Sequence, residues 1–282
     1  MLIIIIPVYN DWASLNKLLQ LIDVTIAIKI FTRVLIIDDC SRVKSDFKKK
    51  KLKKIKDIEI LQLNKNLGSQ KAITIGLNHL KKNKKFFYAV IMDGDGEDNP
   101  VEIEKMLNIA KKNKNSVVVS CRSGRNESIF IQFCYKIHLF ICFFFTTYWV
   151  NFGNFSCFYS KNLNKILSNN KIWYAYSSGI LKNAKIIRTY SRRNNRFFGE
   201  TKMSFFNYLE HSTRVISNFS NRVFLSTSIY LFLVFKLLNE IFFVTTLVLL
   251  LFNIIICYVL LRHKNHHTNY NQFIGTSKFQ SD

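Results

Sequence analysis

Short β-branched runs alternate with helical patterns through the N-terminal part of the chain. Positions 2–6 form a continuous apolar run ended by Pro7, and positions 13–22 carry apolar residues at helical spacing. A second apolar run at 34–37 ends in Asp38-Asp39, and a third at 58–63 follows a lysine run. Positions 70–80 and 101–111 read as helices, 87–92 and 117–121 as strands. Strands without polar alternation are buried on both faces, so this order predicts an α/β fold with a Rossmann-like, doubly wound, mostly parallel sheet. Ligands of such sheets lie beyond the carboxyl ends of the strands. The polar residues gather at those ends, as Tyr9-Asn10-Asp11, Asp38-Asp39, Asp93-Gly94-Asp95 and Arg122.

The pattern changes after this α/β portion, which we bound at 1–205. Positions 129–150 are rich in Phe but contain Lys136 and His138, and their uncharged part, 139–150, is shorter than the roughly 20 apolar residues a bilayer crossing needs. The stretch reads equally as a buried helix or as one lying in a membrane interface. Positions 241–261 are long enough to cross, with Asn253 their one strongly polar side chain. Positions 223–238 are shorter and include Lys236, which can snorkel towards the bilayer surface. Together they predict a transmembrane helical hairpin over 223–262 turning at Asn239-Glu240, preceded by a juxtamembrane amphipathic helix at 206–222 and followed by a polar cytoplasmic tail at 263–282. Arg214 and Arg222 lie before the hairpin and Arg262, His263 and Lys264 after it, so both ends should face the cytoplasm. A single span is the alternative, and it would carry the tail across the membrane against that bias.

Composition narrows the classes. With 26 Phe against nine Gly and two Pro, the chain is a folded protein. The net charge of +23 invites a nucleic-acid partner, but no zinc-finger spacing, helix-turn-helix or aromatic-studded strand accompanies it. A basic surface beside anionic lipid headgroups accounts for the same charge. Six cysteines (Cys40, Cys121, Cys134, Cys142, Cys157, Cys257) are scattered without a Cys-x-x-Cys pair, which excludes a zinc site or disulfide framework and suits a reducing compartment. The first residues lack a basic n-region and read as a buried strand rather than a signal peptide.

Asp93-Gly94-Asp95-Gly96-Glu97-Asp98 places four carboxylates within six residues, directly after a buried strand. Like charges so close repel unless a cation or hydrogen-bond donors offset them, and hard oxygen ligands suit Mg²⁺ or Mn²⁺ bridging to nucleotide phosphates. An EF-hand is excluded because Asn99-Pro100 follows within the loop. Asp38-Asp39 ends its strand similarly, where an acidic residue accepts hydrogen bonds from a base or ribose; a helix N-cap by Asp39 or Ser41 is the competing reading.

Four motifs occur in order: Ile3-Ile-Ile-Ile-Pro7-Val-Tyr9-Asn10-Asp11, Val34-Leu-Ile-Ile-Asp38-Asp39-Cys-Ser41, Asn66-Leu-Gly68-Ser-Gln70-Lys71-Ala72-Ile-Thr-Ile-Gly76 and Met92-Asp93-Gly-Asp95-Gly-Glu97-Asp98-Asn-Pro100. In this spacing the chain resembles family-2 glycosyltransferases, which have the GT-A nucleotide-sugar-binding fold. The likeness extends through Arg122-Ser-Gly-Arg125, Asn151-Phe-Gly153-Asn154-Phe155 and Arg193-Asn-Asn-Arg196-Phe-Phe-Gly199-Glu200-Thr201-Lys202. With the hairpin, the layout is similar to the polyprenyl-phosphate branch, which includes dolichyl-phosphate mannose synthases.

The resemblance implies a nucleotide pocket lined by Pro7, Tyr9, Asp11, Asp39 and Asp93, a metal (Mg²⁺ or Mn²⁺) on Asp93, Asp95 and Glu97, and phosphate or acceptor binding by Arg122, Arg125, Arg193, Arg196 and Lys202. Asp93 and Asp95 would be catalytic through the metal. Asn154 stands where many relatives in the branch carry an Asp proposed to act in catalysis, and an amide cannot be a general base. A lipid phosphate acceptor is already an anion and needs none, whereas a sugar hydroxyl does; Asp98 is then the candidate base. Gly96-Glu97-Asp98-Asn99 replaces the branch's more usual Leu-Gln-Asp-Pro, which implies a different sugar. The expected function is an inverting, metal-dependent transfer from a UDP- or GDP-sugar to a polyprenyl phosphate at the cytoplasmic face of the inner membrane. The rival is extension of a lipid-linked saccharide in O-antigen or capsule assembly, and a different class again is a non-catalytic, membrane-bound nucleotide-binding protein. Membrane lipids are expected partners, nucleic acid is not, and a homo-oligomer is left open.

Overall fold

The computed structural model describes residues 1–43, 52–83, 85–123, 129–168, 170–199, 205–237, 241–264 and 270–280. The chain forms two compact units. The first comprises Met1–Asn126, Phe152–Thr201 and Asn269–Asp282; the second comprises Glu127–Asn151 and Lys202–Thr268.

The first unit is built on β1 (Leu2–Val8), β2 (Thr32–Asp38), β3 (Asp57–Leu63) and β4 (Tyr88–Ile91), in the order β4-β1-β2-β3 with every neighbour parallel. β1 is apolar at every position because both its faces are covered. Leu2, Ile4, Ile6 and Val8 pack on one side, against Leu15, Leu18, Leu19 and Ile22 of α1 (Trp12–Ile22) and Ile103, Met106 and Leu107 of α2. Here α2 is taken as the helix Glu102–Lys112 beyond β4, and α3 as Ser69–Asn83 between β3 and β4. Ile3 and Ile5 pack on the other side, among Ala72, Ile73 and Leu77 of α3. Fully burying an Ile side chain contributes roughly 1.5–3 kcal/mol, so β1 is the anchor of the sheet. α1 continues as a π-helical turn, Asp23–Ala27, and the buried Asp23 carboxylate accepts from the backbone N–H groups of Lys53, Lys54 and Ile55 at 3.1, 2.8 and 2.7 Å.

The sheet is mixed rather than uniformly parallel. β5 (Ser116–Ser123) is reached through β6 (Phe152–Tyr159), which runs antiparallel to both β4 and β5, and β7 (Lys185–Arg192) lies parallel to β5 at one edge. At the other edge β8 (Ile274–Gln280) pairs antiparallel with β3, giving the order β7-β5-β6-β4-β1-β2-β3-β8. Part of the stretch expected to be a plain polar tail is therefore an edge strand. It covers the otherwise open β3, and its Ser277 hydroxyl donates to buried Glu59 at 2.9 Å, which also pairs with His79 at 2.8 Å. Two short helices, α4 (Asn162–Ile166) and α5 (Tyr176–Asn183), follow β6 and precede β7.

The second unit is helical: α6 (Ile129–Thr146), α7 (Phe205–Ser217), α8 (Ser220–Leu237) and α9 (Phe242–Lys264). α6 is held to α8 by Ser226 donating to the Phe145 carbonyl at 3.0 Å and by Arg222 donating to the Thr146 carbonyl at 3.2 Å. α8 is held to α9 by Asn253 donating to Thr227 at 3.2 Å. Among the described residues one helical segment, Phe242–Arg262, is by length and composition apolar enough to cross a membrane. Its Phe243, Val244, Leu247, Leu251 and Ile254 face outward, as do Leu225 and Phe232 of α8 and Phe133 and Phe140 of α6. So much outward apolar surface is foreign to a water-facing helix bundle.

Candidate functional site

Three strand ends of the first unit meet around one set of carboxylates. After β1 the chain turns at Asn10, whose φ is +50°, and its side-chain oxygen accepts from the N–H groups of Arg42 and Val43 at 2.7 and 3.2 Å. The Asn10 N–H donates to the Ser41 hydroxyl at 2.9 Å. These bonds lock the loop after β1 to the loop after β2 and fix the backbone on either side of Tyr9 and Asp11.

Asp38 and Asp39 at the end of β2 are both buried. Asp38 accepts from the Ser41 N–H at 2.9 Å. The two Asp39 oxygens accept from the N–H groups of Leu67 and Gly68 at 2.8 and 2.7 Å, so this carboxylate shapes the loop that enters α3. Burial pushes its pKa from 3.8 to about 6, against the pull of those two donors. Both donors precede Ser69, the first residue of α3, so Asp39 braces the loop and does not cap a helix.

The loop after β4 is a turn closed by its own side chains. The Asp93 N–H donates to Asp98 at 3.0 Å, and the Glu97 N–H donates to Asp95 at 3.1 Å. Gly96 has φ +88°, and a Cβ there would lie 2.3 Å from the Phe197 ring, so this position admits only glycine. Phe197 belongs to the segment after β7, which is stitched to the loop by Phe197 N–H donating to the Asp95 carbonyl at 3.0 Å and Asn194 N–H donating to the Glu97 carbonyl at 2.9 Å. That stitching delivers two arginines. Arg196 reaches Asp11 through one terminal nitrogen and Asp95 at 3.3 Å through the other, while Arg193 pairs with Glu97. Burial, and then the charge of Asp93, push the Asp95 pKa to about 6, with Arg196 and Arg193 opposing.

Of the residues singled out in the sequence, Pro7, Tyr9, Asp11, Asp39, Asp93, Asp95, Glu97, Asp98, Arg193 and Arg196 all lie at these strand ends and their loops. Arg193 and Arg196, read as phosphate-gripping, here hold carboxylates. Arg125 and Lys202 lie outside the described residues, and so does the side chain of Arg122 on β5. Among the described residues no three His, Cys, Asp or Glu side chains converge as a metal-holding group. Asn154, noted in the sequence as an amide in place of a base, takes a part there as a donor, and Gln70 takes a part that the sequence did not single out. Asn154 of β6 donates to Asp93 at 3.0 Å, and Gln70 of α3 donates to Asn154 at 3.1 Å. Gln70 sits within a recognised motif, but nothing local to it announces a partner 84 residues away.

An α/β domain that gathers carboxylates and arginines at the carboxyl ends of its strands defines a class of protein that binds ligands there. The chain belongs to glycosyl transferase family 2, whose model matches residues 3–169. It is 28% identical over 143 residues to an uncharacterized glycosyltransferase of Synechocystis, a match covering 48% of this chain and 42% of that protein. It is 31% identical over 133 residues to the undecaprenyl-phosphate 4-deoxy-4-formamido-L-arabinose transferase of Klebsiella pneumoniae, covering 45% of this chain and 38% of that one. The chain thus matches less than half the length of either relative. Glucosyl-3-phosphoglycerate synthase from Mycobacterium tuberculosis, solved with Mn²⁺, uridine diphosphate and glucosyl-3-phosphoglycerate, has a TM-score of 0.53 at 10% identity over 79% of this chain and 80% of that one. The last is a likeness of fold, and it makes the first unit GT-A-like.

Proposed function

We propose that the protein transfers a sugar, with inversion, from a nucleotide-sugar to a polyprenyl phosphate at the cytoplasmic face of a membrane. The observation that carries this reading is Arg196 held between Asp11 and Asp95 beside the Asp93–Asp98 turn. Asp95 is largely buried next to Asp93 and needs a positive neighbour, which in this arrangement is a guanidinium. The set fits a divalent cation. Mg²⁺ or Mn²⁺ is commonly held by one or two carboxylates with phosphate oxygens completing the shell, so Asp93 and Asp95 suffice and no three-residue protein cage is required. Bound there, such an ion stabilises the charge of a departing nucleoside diphosphate. Glu97 becomes available as a further oxygen ligand when Arg193 leaves it. Arg193 and Arg196, released from carboxylates, can grip the diphosphate with their planar donor forks.

What surrounds Asn154 supports a phosphate acceptor. Its amide is engaged on both sides, by Gln70 and by Asp93, and it offers no basic atom. One Asp98 oxygen holds the Asp93 N–H, which ties the other candidate base into the turn. A phosphate oxygen attacks the anomeric carbon without losing a proton, whereas a sugar hydroxyl must be deprotonated. The polyprenyl-phosphate substrate in the name of the Klebsiella relative supports the same acceptor. Membranes containing the protein, given labelled UDP- and GDP-sugars with polyprenyl phosphate and Mn²⁺, are expected to yield a mild-acid-labile lipid product. Label appearing only when a lipid-linked saccharide is supplied would replace the acceptor proposed here. Donor binding without transfer to any acceptor would overturn the reading.

Connectivity supports a membrane hairpin. The chain leaves the first unit at Thr201 and re-enters it at Asn269, and β8 is hydrogen-bonded into the same sheet as β1. If Phe242–Arg262 crosses a bilayer, the chain must cross once more to return. α8, with 18 residues and a length of about 27 Å, directly precedes α9 and comes close to the roughly 30 Å required. Arg222 and Lys236 lie near its ends, where they can reach headgroups. Single cysteines placed at the exposed positions Asn207 and Ser277 in a cysteine-free background are therefore expected to react with an impermeant maleimide from the same side of sealed vesicles. Labelling from opposite sides would establish a single crossing.

A further inference from the structure

Building on the reading of Asp93 as a metal and diphosphate residue, we infer that Gln70 and Asn154 form a one-way hydrogen-bond relay that positions the Asp93 carboxylate. The relay starts at a group that can only donate. The backbone N–H of Tyr176, in the first turn of α5, donates to the Gln70 side-chain oxygen at 2.7 Å. That bond turns the Gln70 amide nitrogen towards Asn154, whose oxygen accepts it at 3.1 Å. The Asn154 nitrogen is then turned towards Asp93, whose Oδ1 accepts at 3.0 Å. The orientation of each amide is dictated by the one before it, and none can flip without placing oxygen against oxygen or nitrogen against nitrogen.

The starting point is rigid. Tyr176 is fully buried, and its hydroxyl shares a 2.9 Å hydrogen bond with Ser156 of β6, the strand that also carries Asn154. Gln70 is itself buried at the start of α3. Three elements, α3, α5 and β6, are thereby tied to the turn after β4. The relay occupies one oxygen of Asp93 with a neutral donor and leaves the other to a cation. It also gives a physical account of an amide at position 154. An Asp there would accept from Gln70 equally well but would set a second carboxylate oxygen against Asp93 Oδ1, removing the donor that fixes it. Gln70 and Asn154 are positioning residues, since each acts on the reaction through Asp93.

The test is a double-mutant cycle on the full chain in nanodiscs, reading Mn²⁺ affinity at saturating uridine diphosphate by electron paramagnetic resonance of the free ion. Gln70→Met keeps the side chain's length and apolar packing, and Asn154→Ala removes the last link. Each single variant is expected to bind Mn²⁺ about tenfold more weakly: Asn154→Ala removes the hydrogen bond to the charged Asp93, and Gln70→Met removes the bond that aims it. The double variant is expected to bind no more weakly than Asn154→Ala, because a broken relay has nothing further to lose. Uridine diphosphate binding in EDTA should be unchanged in all three. Unchanged Mn²⁺ affinity in Gln70→Met, losses that multiply in the double variant, or a matching loss in EDTA would each overturn the relay. Asn154 is half-buried, so Asn154→Ala by itself decides the last link if Gln70→Met does not fold; undiminished Mn²⁺ affinity there overturns the proposal. A wild-type protein that takes up no Mn²⁺ with the nucleotide would overturn the metal reading and the relay together.

Discussion

Asp95→Asn is expected to lower the rate of sugar transfer about a thousandfold while leaving the fold intact. Removing a single preorganised electrostatic contact from a site of this kind typically costs 10²–10³ in rate, and Asp95 serves two such contacts at once. Its carboxylate would help hold the cation that stabilises the leaving diphosphate, and it holds Arg196, which stands ready for the same diphosphate. An amide keeps the shape and can still accept from the Glu97 N–H. Stability should not suffer, because the ionised carboxylate is poorly placed. Burial and the nearby Asp93 together push its pKa to about 6. A neutral residue relieves both penalties and gives up only a 3.3 Å ion pair. Initial rates with a labelled donor, measured beside the thermal midpoint in EDTA, check both halves. More than a tenth of wild-type activity, with ordinary metal dependence, would remove Asp95 from the metal site.

The parts of this molecule that were legible in the sequence are those whose physics is local. β1, β2 and β4 are apolar at their central positions because both faces are covered, and runs such as Ile3-Ile4-Ile5-Ile6 announce it. The Asp93–Asp98 turn was legible because like charges crowded on one loop need explaining. β7 and β8 were not, since an edge strand needs no buried face: residues 185–192 mix Lys185, Arg188 and Arg192 with polar and apolar residues in no regular alternation, and residues 274–280 are mostly polar. β8 has order because β3 presents it with unpaired backbone groups and a buried carboxylate, neither of which is written at positions 274–280. β6 was read as a motif and not as a strand, because its glycine and polar residues obscure the alternation. The relay was invisible for a related reason. Gln70 looks like an ordinary polar residue at a helix start until α5, 106 residues further on, supplies the N–H that orients it. Asn154, which in the sequence was a missing base, becomes in three dimensions a donor to Asp93.

Arg196→Ala should separate two roles that the static site superimposes, because it moves metal affinity and rate in opposite directions. The guanidinium lies between Asp11 and Asp95, all three side chains being less than one-fifth exposed. Without it, Asp11, Asp93 and Asp95 are left with less compensating charge. Breaking a buried pair from one side costs about 3–5 kcal/mol, and partial exposure to solvent reduces this to roughly 2–3 kcal/mol. At about 2–4 °C per kcal/mol for a domain of this size, the midpoint in EDTA should fall by roughly 5–10 °C. Mn²⁺ should restore most of that loss, since it supplies the positive charge that the arginine no longer provides. Mn²⁺ affinity in the absence of nucleotide should rise several-fold, the competing cation having gone. Transfer should nevertheless fall about a hundredfold, because the diphosphate loses a two-pronged donor in the transition state. Arg196→Lys should recover the midpoint more fully than the rate, as a point charge balances carboxylates but does not reproduce the fork. A variant with weaker Mn²⁺ binding and an unchanged rate would show that Arg196 only organises the carboxylates, and would shift diphosphate binding to Arg193 and to the basic positions Arg122, Arg125 and Lys202.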